Sequence, residues 1–229
     1  MKEYPHILPW NKGCFGQPII AFDKLDGSNI RVEWSRKRVK KDNGFYKFGT
    51  RTRLLDKTDE IFGIVPGIFM DKYSENLNKV FKDHKQYRHI ESFTMFLEFF
   101  GPNSFAGRHV VEDKKDLTLF DICMYKHGFV LPRDFVNNFN GVGIPLVIYD
   151  GTYNQSFIDY IRMDSKHELR EGVVCKGVSG KEKIWMTKIK TNLWLSRVHE
   201  KYGLERVSEE LDGDMSLVSF VDIERPNKI

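Results

Sequence analysis

Phe22-Asp23-Lys24-Leu25-Asp26-Gly27-Ser28-Asn29 is the stretch on which the reading of this chain turns. It follows a short apolar run, Pro18-Ile19-Ile20-Ala21, and precedes a strand-like Ile30-Arg31-Val32-Glu33-Trp34. A lysine therefore sits at the end of a strand, before a turn built from Asp, Gly, Ser and Asn. A lysine held there can present its amine to a pocket rather than to bulk water. Its chemistry becomes nucleophilic where neighbouring cations or burial lower its pKa. Taken alone, K-x-D-G reads more simply as a solvated lysine beside a hairpin turn, so the rest of the chain has to choose.

Residues 1–17 read as an irregular entry containing Pro5, Pro9, Gly13 and Gly16. Downstream of the lysine motif, residues 35–44 carry five cations (Arg36, Lys37, Arg38, Lys40, Lys41) and end in Asn43-Gly44, which predicts the tip of a hairpin. Such a tip is either a solvated loop that resists edge pairing or a contact for a phosphate backbone. Residues 45–50 return as a strand into Arg51-Thr52-Arg53. Tyr73, Leu77, Val80, Phe81 and His84 fall near helical spacing over residues 71–87. Residues 94–101 form a continuous apolar strand interrupted by Glu98, a carboxylate that is costly to bury without a partner or a ligand. Over 116–123, strict alternation puts Phe120 and Ile122 on one face and Leu119, Asp121 and Cys123 on the other.

Helices are expected over 132–140 and 154–163, with a strand over 145–149 between them. Two strands then follow closely. The first, 170–176, has Glu171 at its start. The second, 184–190, ends in Lys188-Ile189-Lys190. Period-2 geometry sends Lys188 and Lys190 to one face, and two cations there imply a nearby anion. The alternative is an edge strand with solvated lysines. Residues 191–203 suggest a helix capped by Thr191 and ended by Gly203, before an acidic, weakly patterned remainder.

With 229 residues and 41% hydrophobic content, the chain can bury a sizeable core. Eighteen phenylalanines is a high count, and some of those rings are expected to serve beyond packing, as in stacking on a base. Charged residues make up 30%, and the net charge of +4 is compatible with nucleic acid but too weak to argue for it alone. Cys14, Cys123 and Cys175 form no C-x-x-C pair, which points to a reducing compartment and away from a zinc site. His84, His89 and His109 have no metal-ligand spacing and read as surface or packing residues. No signal-peptide core opens the chain, and no apolar run approaches the roughly 20 residues of a membrane helix. A soluble, cytoplasmic protein with no membrane partner is expected.

In order, Lys24-Leu-Asp-Gly-Ser-Asn29, Thr50-Arg51-Thr52, Leu97-Glu98-Phe-Phe-Gly101, Leu119-Phe120-Asp121, Glu171-Gly-Val-Val174 and Lys188-Ile-Lys190 make one ordered set. That set resembles the covalent nucleotidyltransferases, the superfamily of polynucleotide ligases and mRNA capping enzymes, across roughly residues 18–190. The Asn29 that closes the lysine motif and the short Lys-Ile-Lys ending are most similar to RNA ligases of the RNA ligase 2 type, a group that includes bacteriophage repair enzymes.

The resemblance implies an α+β fold: an ATP-grasp-like ligase adenylation domain with antiparallel sheets flanking a nucleotide cleft and helices outside. It implies an ATP-dependent RNA ligase that joins 3′-OH and 5′-phosphate ends, in a nicked duplex or single-stranded. Lys24 would take AMP from ATP, and Lys188 and Lys190 would hold the α-phosphate. Asp23 would lie near the adenine amino group, partly through its backbone, while Asp26 and Gly27 would shape the turn. Asn29 would position the phosphate or the RNA 3′-hydroxyl. Arg51 would contact ribose or phosphates, Glu98 a ribose hydroxyl, and Phe120 the adenine face. Glu171 would place the catalytic Mg²⁺ or Mn²⁺. An adenylylation domain over 1–203 and a short tail over 204–229 are expected, with neither an OB-fold nor the helical domain of larger relatives. The alternatives are a compact DNA ligase sealing duplex nicks, a non-catalytic module that holds nucleotide or RNA, and a GTP-using capping enzyme.

Overall fold

The computed structural model describes residues 1–215 except 165 and 167. The strands in chain order are β1 (Leu8–Pro9), β2 (Pro18–Lys24), β3 (Ser28–Ser35), β4 (Phe45–Thr50), β5 (Ser92–Phe100), β6 (Asp116–Met124), β7 (Gly128–Phe129), β8 (Val147–Thr152), β9 (Gly172–Ser179) and β10 (Lys183–Lys190). The helices are α1 (Val39–Asp42), α2 (Val65–Asp83), α3 (Pro132–Phe139), α4 (Gln155–Met163) and α5 (Asn192–Glu210). The architecture is the expected α+β, with two five-stranded, mostly antiparallel sheets. The chain divides into two compact units, one from Met1–Pro5 and Asp26–Pro145, the other from His6–Leu25 and the described residues from Leu146 on.

In the first unit the strand order is β4-β3-β5-β6-β7. Alternation along β3 and β5 turns Ile30, Val32 and Trp34 to the same side as Phe93, Met95, Leu97 and Phe99, all buried. Helix α2 covers that side. Val65, Phe69, Tyr73, Leu77 and Phe81 repeat every four residues and are all buried. Phe81 stacks on Phe93 with centroids 3.9 Å apart, and the Trp34 indole donates to Asn78 Oδ1 at 2.8 Å. Burying each such ring is worth roughly 2–3 kcal/mol, and most of the phenylalanine content of this unit is spent on it. The helix begins six residues before the expected 71, because Pro66 is tolerated in a first turn, where its missing N–H costs nothing.

Residues 36–41 lie at the tip of the β3–β4 hairpin, as expected, but not as a tight turn. They form a 3₁₀ turn running into α1, and Asn43 (φ 52°) and Gly44 (φ 87°) return the chain to β4. The Arg36 guanidinium donates to the carbonyls of Phe81 (2.8 Å), Tyr87 and Ile90 (both 3.2 Å), and Arg38 pairs with Asp42. Two of the five cations are thus committed to the protein's own groups, while Lys37, Lys40 and Lys41 are exposed.

In the second unit the order is β1-β10-β9-β2-β8, antiparallel except for the β1–β10 pair. One face of this sheet packs Ile19, Ala21, Val173, Cys175 and Ile189 against Tyr153 and, from α4, Phe157, Ile158 and Ile161. Asn154 caps α4 by accepting the Phe157 N–H at 2.8 Å. Strand β8 lies two residues later than expected, at 147–152. Thr191 caps α5 as expected, accepting from Trp194 N–H at 3.1 Å. Gly203 (φ 82°, ψ 176°) breaks α5, but helical turns resume as far as Glu210 instead of giving way to a tail. Arg206, paired with Glu209 and Glu210 at helical spacing, supports that last segment. Residues 216–229 of the expected tail lie outside the described residues. Among the described residues no helix is long and apolar enough to cross a membrane.

Candidate active site

The face of the second unit's sheet opposite its core is a lysine face. The register across β2, β9 and β10 puts Lys24, Gly172 and Lys190 in one row, and Phe22, Val174 and Lys188 in the next. Alternation keeps Ile189, between the two lysines, in the core. Gly172 leaves the middle of the first row without a side chain. Its φ of 152°, and an added Cβ only 2.0 Å from the Ile189 carbonyl oxygen, exclude any other residue.

Glu171, one residue before β9, reaches into that row. Its Oε2 accepts from Lys24 Nζ at 2.6 Å and its Oε1 from Lys190 Nζ at 2.7 Å. The carboxylate is 4% exposed, and Lys190 also lies 4.2 Å from the Trp194 ring centroid. Glu210 also pairs with Lys190, and Asp212 Oδ2 pairs with Lys188 at 2.9 Å. Burial alone would raise the Glu171 carboxyl, but the Lys190 and Lys24 ammonium groups outweigh it and hold its pKa below the usual glutamate value. Burial pushes the Lys188 ammonium down. The Asp212 carboxylate opposes that shift, while Lys190 and Lys24 add to it.

Lys24 is thus where the sequence put it, in a row with a lysine of the last strand. It pairs with a carboxylate shared with Lys190, that of Glu171, the residue to which the resemblance gives the metal. Asp23, one residue earlier, points to the opposite face, in register with the core residue Val173. Burial raises its carboxyl to about 6, with Arg170 opposing.

In the first unit the sheet face away from α2 carries Asn29 and its register partner Glu98, with Arg31 and Phe96 in the next row. Strict alternation fails on β6. The register slips between Phe96/Asp121 and Leu97/Leu119, so Phe120 is an extra residue in a bulge. The bulge turns Phe120 to the same side as Asp121, away from Ile122, correcting the alternation expected from sequence. Tyr4, buried, binds this side together. Its hydroxyl donates to Asp121 Oδ2 at 2.9 Å, and its ring meets Phe120 edge-on at 5.0 Å and Phe96 at 4.9 Å. Burial raises the Tyr4 hydroxyl well above its ordinary range, Asp121 and Glu98 add to that, and Arg51 opposes it, so both Glu98 and Arg51 lie within electrostatic reach. The Asn29 Oδ1 atom is buried with no hydrogen-bond partner among the described residues.

The turn after the lysine is fixed within the same unit. Asp26 accepts the backbone N–H groups of Ala106 (2.8 Å) and Gly107 (3.0 Å), and Ser28 Oγ lies 2.8 Å from His109 Nε2. Gly27 has to be glycine, because a Cβ would stand 2.2 Å from the Phe99 carbonyl oxygen. His109, expected as surface or packing, is a half-buried member of this network. Three functional candidates escaped sequence reasoning. Tyr4 sits in a segment without periodicity, and Glu210 and Asp212 sit in an acidic stretch that reads as solvated.

Among the described residues no group of three or more His, Cys, Asp or Glu could hold a metal ion by itself. No family model matches the chain, and no curated protein matches it. Solved structures do. A Naegleria gruberi RNA ligase with pyrophosphate aligns with a TM-score of 0.58 at 20% identity, covering 87% of this chain and 58% of that one. A mutant of the Naegleria ligase with ATP and Mn gives 0.55 at 19%, covering 85% and 58%. An archaeal ATP-dependent RNA ligase gives 0.60 at 14%, covering 98% and 62%. The chain therefore spans about three-fifths of the length of the structures it resembles. At these identities the likeness is one of fold: this chain has the nucleotidyltransferase fold of ATP-dependent RNA ligases.

Proposed function

We propose that this chain is an ATP-dependent RNA ligase of the RNA ligase 2 type, joining 3′-OH and 5′-phosphate RNA ends through a lysyl-AMP intermediate. The observation that carries the reading is the row Lys24–Gly172–Lys190 bridged by Glu171, with Lys188 in the adjoining row. Nucleotidyl transfer asks little of a protein beyond one nucleophile and well-placed charge. This face supplies both.

In the first step Lys24 Nζ attacks the α-phosphorus of ATP. An N–P bond forms, the bond to the bridging oxygen breaks, and pyrophosphate leaves. The lysine loses its proton to water before it attacks, and the 2.6 Å hydrogen bond to Glu171 marks where Nζ is held. Lys188 and Lys190 hold the α-phosphate and stabilise the charge that shifts across it. In the second step the 5′-phosphate of RNA displaces Lys24 and takes the adenylate. In the third, the 3′-hydroxyl attacks that phosphate and AMP leaves. Phe120, Glu98 and Arg51 are assigned to adenine, ribose and phosphate, with Asp23 contributing through its backbone. Asn29, whose buried oxygen lacks a partner among the described residues, is assigned to the phosphate or the RNA 3′-hydroxyl.

Glu171 would hold Mg²⁺ or Mn²⁺. A single buried carboxylate fits Mg²⁺, which usually takes one or two carboxylates and completes its shell with water and substrate phosphates. When bound, the ion supplies further positive charge at the α-phosphate. The Naegleria ligase, determined with ATP and Mn, supports this choice of nucleotide and ion.

Sealing of a nicked RNA duplex with ATP and Mg²⁺ tests the proposal. Sealed RNA from the parent and none from Lys24→Ala is expected, with a requirement for a ribonucleotide at the 3′ side of the nick. Equal sealing of a DNA 3′ end would move the assignment to a DNA ligase. Absence of both sealed product and adenylylated RNA would refute it.

A further inference from the structure

The two lysines assigned to the α-phosphate already hold anions, and both anions come from the end of α5 and the turn after it. Lys190 pairs with Glu210, and Lys188 with Asp212 at 2.9 Å. Glu210 is shared with Arg206 (2.6 Å), and Asp212 with His6 (3.3 Å). Asp214, two residues on, accepts from the Asn11 amide. Lys24, Lys188 and Lys190 are thus met by Glu171, Glu210 and Asp212, three ammonium groups by three carboxylates. A triphosphate brought to this face would meet compensated lysines and two carboxylates beside its own oxygens, an arrangement in which like charges repel.

The segment that carries Glu210 and Asp212 also has the means to leave. Gly203 interrupts α5 at φ 82° and ψ 176°, and Gly213 (φ 78°) ends the acidic turn; among the described residues no atom lies within 4 Å of a Cβ added at either. A few terminal positions that absorb a backbone change are what a hinged element requires.

We propose that residues 204–214 form an acidic strap that occupies the phosphate site in place of the nucleotide, and that the triphosphate binds by displacing it from Lys188 and Lys190. This rests on the proposed nucleotidyl-transfer reading for the identity of the ligand, but not for the competition itself. The strap sets the affinity for ATP, and a partner that held it away would raise that affinity without touching the nucleotide. By linkage, whatever the strap gains from the lysines is lost to the phosphates.

Inorganic tripolyphosphate is the direct probe. Its Kd should tighten about five- to tenfold in Asp212→Asn and in Glu210→Gln, the lower end of the ordinary range of such a coupling, and ATP should follow. Tripolyphosphate added to the parent should also speed amide exchange over 204–214, a readout that needs no variant. Unchanged or weaker affinity in Asp212→Asn, or exchange over 204–214 that slows or stays the same, would overturn the strap. Tighter tripolyphosphate binding without any adenylate on Lys24 would keep the strap and refute the ligase reading. Adenylate on Lys24 with equal affinities would do the reverse.

Discussion

The two sheets keep a polar face in different ways. In the second unit the polar face is made of charges in register: lysines from β2 and β10 fall in adjoining rows, and carboxylates fill the spaces between them. In the first unit the polar face is made of single groups set among rings: Glu98, Asn29 and Asp121 beside Phe96, Phe120 and Tyr4. The first design follows from strict period-2 alternation and depends on every charge being answered. The second depends on one departure from alternation, the bulge at Phe120, and on a tyrosine brought in from the N-terminal segment. A compensated row should fail all at once when one member is removed. A ring-lined face should lose function in parts.

The largest effect is expected at Glu171. Glu171→Ala leaves two ammonium groups close together without their common acceptor, and removing one member of a buried pair costs about 3–5 kcal/mol. Chemical denaturation should read that loss, and adenylate transfer should fall below detection. The folded-state pKa of Glu171 is depressed, so its contribution is present above the unfolded value of about 4.5 and is lost as pH falls below it. The stability gap between parent and Glu171→Ala should therefore shrink in acid. A gap that stays constant down to about pH 3 would break the row account.

Next in size is the ring-lined face. Phe120→Ala should raise the KM for ATP about tenfold or more, given roughly 1–3 kcal/mol for a base stacked on an aromatic ring. Tyr4→Phe should cost less, about 1 kcal/mol of stability for one hydrogen bond, because Phe96 and Phe120 keep their ring partner. If Tyr4→Phe proves as damaging as Phe120→Ala, this face is as cooperative as the other and the contrast disappears.

A smaller effect separates the two sides of the lysine sheet itself. Asp23 has a raised folded-state pKa of about 6 against 3.8 unfolded. Stability linked to it is fully present below 3.8 and is lost as pH rises through 6. Asp23→Asn should therefore gain on the parent in thermal melts at about pH 7.5 relative to about pH 4.5, and the opposite order would place the carboxylate elsewhere. The smallest effect is expected at the exposed Lys37, Lys40 and Lys41. Their replacement by Ser should weaken RNA sealing and lower its salt dependence, while leaving adenylate transfer to Lys24 intact.

What could be read from the sequence follows the same division. Lys188 and Lys190 were legible because period-2 geometry needs only neighbours in sequence, and Glu171 because a carboxylate opens an apolar strand. The position of Glu98 was legible for the same reason. The facing of Phe120 was not, since a bulge is a property of two paired strands and β6 alone carries no sign of it. Tyr4 was hidden by an aperiodic segment, and Arg36 read as a surface cation although its guanidinium satisfies three carbonyls. Glu210 and Asp212 lie in a stretch whose composition describes solvent equally well. Only tertiary pairing distinguishes an acidic tail from a charge partner.

The central claim is that Lys24 carries the nucleotide. Intact mass of the purified protein after incubation with ATP and Mg²⁺ tests it most directly. The account predicts a second species heavier by one adenylate, lost on adding pyrophosphate and absent from Lys24→Ala. An unmodified parent, or an adenylate that persists in Lys24→Ala, would contradict it.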